Sequence, residues 1–548
     1  MESNDKKINR ISKDQKILAK NSFYSFLNSY SGFIFATITS FLTARMISQE
    51  LWGIFIQALA YLATFYLISG FLPPSLDSSL NYYLPKYRSL RQNNLLIIFI
   101  KHSMISRISF LFLNFIISNV IFILFIGLFK INLENYYYLL FLLGPLILIN
   151  NIDSFIANVN RSLNYFNIVY LILIIRNLLN IGILIYFFIS KGNLTMNQLV
   201  QINLYSALIP FLIQGIITYM LLKFRFKKTE ESGVPFKENF KNFFKYGSYL
   251  SISSVLLGFY NNLRILSIGS FESAEMVLGY NIADHYRQVS SQAVVSLNQP
   301  LMISYSSLYS NGKHMQIKKI TDVFLDYSIF LILLITGFLY FFADLYLFLI
   351  YGESYLIFSP ILKLMLISII FGVQGIFFSS LLAASGKVKQ TVPITIILIL
   401  IYTTFFLIGL IFFGIIGFLI GTIISSVIGF IYSTIMNFKM FNIRLKIGKI
   451  FSLYSFFFIA LILSWIIEVA FLKDLNFLIL QSLNLLIFEK FQFLSLLSFL
   501  FIFLILVIVF KIISRGDLEI IEAFFEKDNF FHKALRKGLN VLKKFLRS

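Results

Sequence analysis

Long apolar runs alternate with short polar gaps along nearly the whole chain, and each run has the length of a bilayer crossing. Roughly 20 apolar residues in a helix span the hydrocarbon core, and about fourteen stretches reach that length. They are 22–44, 51–72, 103–129, 136–158, 168–189, 199–222, 246–268, 277–308, 322–342, 360–384, 391–412, 415–437, 451–471 and 494–513. The eighth is polar, and the further apolar stretch 475–488 fits the outer interface, so twelve crossings is the alternative count. Backbone in lipid must satisfy its own hydrogen bonds, which makes each span a helix. The pattern predicts an all-α polytopic membrane protein.

Charge supplies the orientation. Only five of the 46 Lys and Arg (Arg45, Lys130, Lys191, Lys473 and Lys490) fall in the odd-numbered gaps between spans. Nearly all the others occupy the even-numbered gaps and the two ends. Loops rich in Lys and Arg stay cytoplasmic, so both termini are expected there and the number of crossings is even. The expected location is the cell membrane. A composition of 58 % hydrophobic and 13 % charged residues agrees. The net charge of +21 would suggest nucleic acid for a soluble protein; here it lies in loops that face anionic membrane lipid, and no nucleic-acid partner is implied. The chain has no cysteine, which rules out disulfides and thiolate metal sites. The basic start (Lys6, Lys7, Arg10, Lys13, Lys16, Lys20) is read as a retained cytoplasmic tail rather than a cleaved signal.

The largest basic gap, KFRFKKTEESGVPFKENFKNFFK at 223–245, divides six spans from eight. The expected organisation is a tail at 1–21, an N-terminal lobe of six helices at 22–222, this cytoplasmic linker, and a C-terminal lobe of six helices at 246–437. Two additional helices follow at 451–513, then a basic amphipathic tail at 514–548. In that tail Leu535, Leu539, Leu542 and Leu546 share one helical face among lysines and arginines, the pattern of a helix lying on anionic lipid. The halves repeat weakly. QELWGIF (49–55) parallels AEMVLGYN (274–281), and YYYLLFLLGPLILINNIDSFIANVN (136–160) parallels SYLIFSPILKLMLISIIFGVQGIFFSSLLAAS (354–385). Copies of six spans would share their orientation. Pro73-Pro74 ends the second span, because proline lacks the N–H that a helix needs.

The outer gaps are short, leaving no soluble segment of the kind a membrane polymerase or ligase carries. SGKVK (385–389) and NGKHM (311–315) lack the spacing of a phosphate-binding loop, no H-E-x-x-H occurs, and four scattered histidines form no metal cluster. No cofactor is implied. The candidate chemistry lies inside the membrane, where an ionisable group costs about 2.5–3.5 kcal/mol on insertion scales and faces a partner or a wet cavity. The candidates are Arg107, Asp153, Arg176, Arg264, the Asp284/Arg287 pair and Lys363. The seventh span places Asn261 and Asn262 beside Arg264. In the eighth, Asp284, Arg287, Gln288, Ser291, Gln292 and Gln299 recur at helical spacing and share a face, with Asn281, His285 and Asn298 nearby. Asp284 and Arg287 could simply neutralise each other, and Arg264 could snorkel to the interface. The functional alternative is that Arg264, Arg287 and Arg176 hold an anion, since a guanidinium fork matches phosphate oxygens, while Asn261, Asn262, Gln288 and Gln292 replace water around a sugar.

Three blocks resemble the Wzx-type polysaccharide flippases. LTARMISQELWGIFIQALAYLATFYLISGF (42–71) is similar to their first span pair, including an arginine at Arg45. VLGYNIADHYRQVSSQAVVSLNQPLMISYSSLYSNGK (277–313) resembles their mid-chain helix with its terminal proline. LIYGESYLIFSPILKLMLISII (349–370), followed by LLAASGKVKQ (381–390), is the most specific match. The resemblance implies the multidrug/oligosaccharidyl-lipid/polysaccharide exporter superfamily. It further implies two lobes around a central cavity, alternating access, and a polyprenyl-diphosphate-linked oligosaccharide as substrate, with Na⁺ or H⁺ coupling left open. Arg264 and Arg287 are the positions onto which the family's cavity cations map. The expected protein is a flippase and not an enzyme. The rival within the superfamily is a cation-coupled drug or metabolite antiporter, which would draw on Asp153, Asp284 and Glu468. A glycan polymerase or ligase is the rival outside it.

Overall fold

The structure is a computed structural model. It describes residues 31–71, 92–125, 138–225, 236–310, 314–385, 387–443, 446–469 and 493–510, with isolated positions before 31 and between 80 and 88. The N-terminal tail, Pro73-Pro74, most of the linker between 226 and 235, the stretch 475–488 and the C-terminal amphipathic tail lie outside the described residues. So do the side chains of Asn298 and Gln299.

The described residues form helices throughout: α1 (Ser31–Ala44), α2 (Gln49–Phe71), α3 (Asn93–Phe125), α4 (Tyr138–Ser162), α5 (Phe166–Lys191), α6 (Met196–Arg225) and α7 (Phe236–Phe271). They continue with α8 (Ala274–Ser310), α9 (His314–Ile350), α10 (Ser359–Ile369), α11 (Val373–Ala384), α12 (Thr391–Phe441), α13 (Ile447–Ile467) and α14 (Phe493–Val509). Within the described residues each predicted span lies on one of these helices, except 360–384, which covers two, and the protein is an all-α, multi-pass membrane protein. Among the described residues, eight helical stretches are long and apolar enough to cross a membrane. The polar α7 and α8 are not among these eight, although they run for 36 and 37 residues.

Three places depart from simple spans, each for a local reason. In α12, Gly414 takes φ 62° and ψ −152°, so the 51 residues are two arms joined at a sharp turn rather than one rod. A Cβ at Gly409 would strike the backbone of Gly417, and one at Gly421 that of Phe405, so small residues let the arms touch. At the end of α9, Gly352 adopts φ 104° and its N–H bonds Leu347 O at 3.1 Å, which terminates the helix in a left-handed turn. The predicted span 360–384 is α10 and α11, broken by a 3₁₀ turn at Ile370–Gly372. There the Tyr454 hydroxyl donates to Ile370 O at 2.8 Å, satisfying a carbonyl at the break.

The chain divides into two compact units, residues 1–281 with 388–403, and residues 282–387 with 404–548. In the first, α2 packs along α7, and α6 packs along both α4 and α5. The Ser48 hydroxyl accepts from Leu51 N at 3.3 Å and caps α2. Thr195 and Gln198 exchange bonds of 3.0 and 3.4 Å at the start of α6, a reciprocal cap. Leu194 N bonds Met46 O at 2.7 Å, tying the turn before α2 to the turn before α6. Gly53 lies against the backbone of Ala274, so the two parallel motifs noted at 49–55 and 274–281 meet. In the second unit, α13, α14 and α9 pack around a phenylalanine stack. Phe499 and Phe503 lie 5.7 Å apart and Phe330 5.9 Å from Phe503. Many other large apolar side chains are exposed, among them Ile189, Phe413 and Phe501, as a surface in contact with lipid requires.

Candidate functional site

In the second unit, α8 has two faces. Ile282, Ala283, Tyr286, Ser290 and Val294 are buried, and Tyr286 stacks on Tyr346 at 4.3 Å while its hydroxyl donates to Leu339 O at 2.9 Å. That seam fixes the helix against α9. The stripe Asp284, Arg287, Gln288, Ser291 and Gln292 is half-buried, with polar groups that stay accessible. Arg287 Nε and Nη2 donate to Asp284 Oδ1 at 3.1 and 2.6 Å, and Gln288 Nε2 donates to Asp284 Oδ2 at 3.1 Å. The two charged side chains keep 20 % and 24 % of their surface exposed, so the pair is neither sealed nor free in water. His285 is exposed on a different face.

In the first unit, Arg264 is buried in α7. Its Nη2 donates to Asn261 Oδ1 at 2.9 Å, and its guanidinium lies 5.0 Å from the Tyr260 ring centre and 5.7 Å from that of Tyr280. Tyr260 in turn contacts Tyr402 at 5.8 Å. The Arg264 side chain is thus buried, and aromatic rings of this kind stabilise a cation. Asn262 is half-buried one position on from Asn261.

Arg176 belongs to another group in the same unit. Its Nη2 donates to Asn150 Oδ1 at 2.9 Å, and its Nη1 stands 3.9 Å from Asp153 Oδ2. The buried Gln214 amide, oriented to satisfy both neighbours, donates to Asp153 Oδ1 at 2.6 Å and accepts from Ala157 N at 3.0 Å. One turn further along α6, Thr218 and Asn160 exchange bonds of 2.9 and 3.2 Å. Ser206, Gln214 and Thr218 thus form a polar seam on α6, with Ser206 accepting from Asn180 at 3.1 Å. Such a seam clamps α4, α5 and α6 together in a medium where an unmet polar group is costly.

For Lys363 and Glu468, both candidates from the sequence, and for Lys449, the partners escaped the sequence reading because they are distant in sequence. Lys363 bonds Asp344 at 2.7 Å, with the Ser359 hydroxyl also donating to Asp344. Lys449 bonds Asp326 at 2.7 Å. Glu468 accepts from Ser495 at 2.6 Å. Arg107 is buried in α3. Among the described residues, no three His, Cys, Asp or Glu side chains are gathered as metal ligands.

The helical membrane fold is shared with solved transporters. The "Lipid II flippase MurJ, inward closed conformation" matches with a TM-score of 0.63 at 16 % identity, over 89 % of this chain and 98 % of that one. An inward-facing multidrug resistance MATE family transporter of the MOP superfamily matches with a TM-score of 0.57 at 14 % identity, over 75 % and 95 %. The Vibrio cholerae MATE transporter VcmN in the bent form gives 0.55 at 14 % identity, over 79 % and 98 %. These likenesses establish the fold. No curated protein matches the chain significantly in sequence. The chain belongs to the family described as polysaccharide biosynthesis protein, whose profile matches residues 18–306. The resemblance drawn from the sequence blocks is borne out at the level of family and fold.

Proposed function

We propose that the protein is a flippase that moves a polyprenyl-diphosphate-linked oligosaccharide across the cell membrane by alternating access, for the assembly of a cell-surface polysaccharide or glycan. The observation that carries this reading is membership of the polysaccharide biosynthesis family across a region that includes the polar, arginine-bearing α7 and all but the last four residues of α8. The lipid-flippase likeness of the fold supports it. Arg264 and Arg287 would neutralise the diphosphate, with Arg176 a third cation, while Asn261, Asn262, Asp284, Gln288 and Gln292 would hydrogen-bond the glycan. Both termini would face the cytoplasm. The protein would act as a transporter, with no bond made or broken in its cargo.

The antiporter reading needs a carboxylate available to a coupling cation. Asp153, Asp284, Asp344 and Glu468 each already have a donor at 2.6–3.1 Å, three of them in groups that include Arg or Lys. That arrangement favours an anionic cargo. The test is depletion of the protein in its own cell. The expected result is accumulation of a lipid-linked glycan in the cytoplasmic leaflet. Normal translocation with assembly stalled on the outer side would overturn the reading in favour of a polymerase.

A further inference from the structure

A second cationic site lies in the first unit, at the ends of α3, α4 and α6 that the charge pattern assigns to the cytoplasm. A tight turn at Asn164 (φ 62°), closed by Asn164 N to Arg161 O and Tyr165 N to Asn160 O, both at 2.8 Å, sets Tyr165 at the start of α5. Two guanidiniums flank that one ring. Arg88 lies 5.8 Å and Arg225 5.4 Å from its centre. Arg225 Nη1 donates to the Tyr165 hydroxyl at 3.0 Å, and Arg88 Nη1 donates to Leu163 O. Neither arginine meets a carboxylate among the described residues. Snorkelling side chains spread toward water. Here two like charges converge on a single tyrosine instead, an arrangement that a bridging anion stabilises.

Tyr165 packs on an apolar cluster that contains Ile100, Phe155, Ile156 and Val159. The same residues, with Met104, Gly215 and Tyr219, line an open groove of about 200 Å³. The Thr218 hydroxyl on its wall is committed to Asn160, so the groove offers apolar surface only. Met104 and Tyr219 at its rim and Ile216 and Met220 beside it are exposed, which marks a mouth toward lipid.

We infer that this face binds one anionic phospholipid of the adjacent leaflet, with its phosphate between Arg88 and Arg225 and one acyl chain in the groove. The occupant must carry a negative charge for the two guanidiniums and hydrocarbon for the apolar groove whose lining packs with Tyr165, and it reaches an opening in the membrane plane by lateral diffusion. The site uses none of the residues assigned above to transport, and it stands or falls independently of the flippase reading.

The full-length protein, purified and exchanged into defined mixtures of phosphatidylglycerol and phosphatidylcholine, gives the test by native mass spectrometry of retained lipid. Wild type is expected to retain phosphatidylglycerol selectively. The double variant Arg88→Gln/Arg225→Gln should lose about tenfold of that retention, because charge-assisted bonds to phosphate are removed. Gly215→Leu should lower it without altering charge, by filling the groove; nothing lies within 4 Å of a Cβ at Gly215, so the residue can be accommodated. Retention unchanged in both variants would overturn the inference. So would displacement of phosphatidylglycerol by undecaprenyl phosphate at equal or lower concentration, which would make the occupant a lipid-linked substrate.

Discussion

Arg287 tests whether the charged pair on α8 is there for stability or for an anion. Changing it to Gln removes the bonds of 3.1 and 2.6 Å to Asp284 Oδ1. Hydrogen bonds to charged groups contribute about 1.5–3 kcal/mol each. These two share one acceptor oxygen, and the side chains keep 20 % and 24 % of their surface exposed, so solvent returns part of the loss. The expected cost of Arg287→Gln is therefore about 2 kcal/mol, below the roughly 3–5 kcal/mol of a fully buried broken pair. The double variant Asp284→Asn/Arg287→Gln removes both charges and should recover most of that stability, since discarding a pair together is often nearly neutral.

Transport then separates the two roles. If Arg287 only compensates Asp284, the double variant should regain both thermal stability and glycan translocation. If Arg287 holds diphosphate, stability should return while translocation stays lost, and Arg287→Lys should rescue only in part because a point charge lacks the bidentate fork. The measurements are the melting temperature of purified protein and the leaflet distribution of the lipid-linked glycan in cells. Wild-type translocation by the double variant would refute the binding role and leave Arg264 as the stronger anion ligand.

Three further outcomes follow from packing and charge. Gly53→Val should destabilise the first unit by about 1–3 kcal/mol, because the added carbons meet the backbone of Ala274, which cannot rotate away; an unchanged melting temperature would contradict that close approach. Asp326→Ala should destabilise the second unit by less than the roughly 3–5 kcal/mol of an isolated buried charge, because Lys449 also lies in the field of Asp322, and Asp326→Ala/Lys449→Met should recover part of the loss; equal losses in both would show that the pair is not coupled. A reporter fused after Lys245 should be active only when it requires the cytoplasm, as the basic 223–245 gap demands, and activity restricted to the outside would reverse the topology.

The helices were legible in sequence because lipid leaves the backbone no alternative, and the alternation of basic gaps gives the orientation that the reporter fusion tests. The polar stripe of α8 was legible for the same reason: Asp284, Arg287, Gln288 and Ser291 lie within two turns, where periodicity predicts contact. What escaped was every interaction closed over a long sequence distance. Asp344 finds Lys363 across 19 positions, Gln214 reaches Asp153 across a helix pair, and Arg88 meets Leu163 and Tyr165 some 75 positions away. Periodicity carries no information on which helix faces which. The break at Ile370–Gly372 was hidden by an apolar run that reads as one span, and its stabilising hydroxyl, Tyr454, comes from 84 positions downstream.

The cations in this protein are stabilised in two ways, and the difference bears on function. Lys363, Lys449 and Arg287 each touch a carboxylate at 2.6–2.7 Å, where the field of the cation is largely consumed locally. Arg88 and Arg225 instead rest on a tyrosine ring and meet no carboxylate among the described residues, and Arg264 lies against the rings of Tyr260 and Tyr280. A ring quadrupole lowers the energy of a cation without adding an opposing charge, so the positive potential of the arginine persists beyond it. A protein that must take up a polyanionic headgroup and then release it gains from the second kind: a carboxylate partner would have to be displaced at each cycle, whereas a ring remains in place as the anion comes and goes. Arginines on tyrosine rings are therefore suited to transient anion contact, whereas Lys363 through Asp344 and Lys449 through Asp326 fix one helix against another; Arg287 meets Asp284 on its own helix and is the mixed case that the double variant resolves.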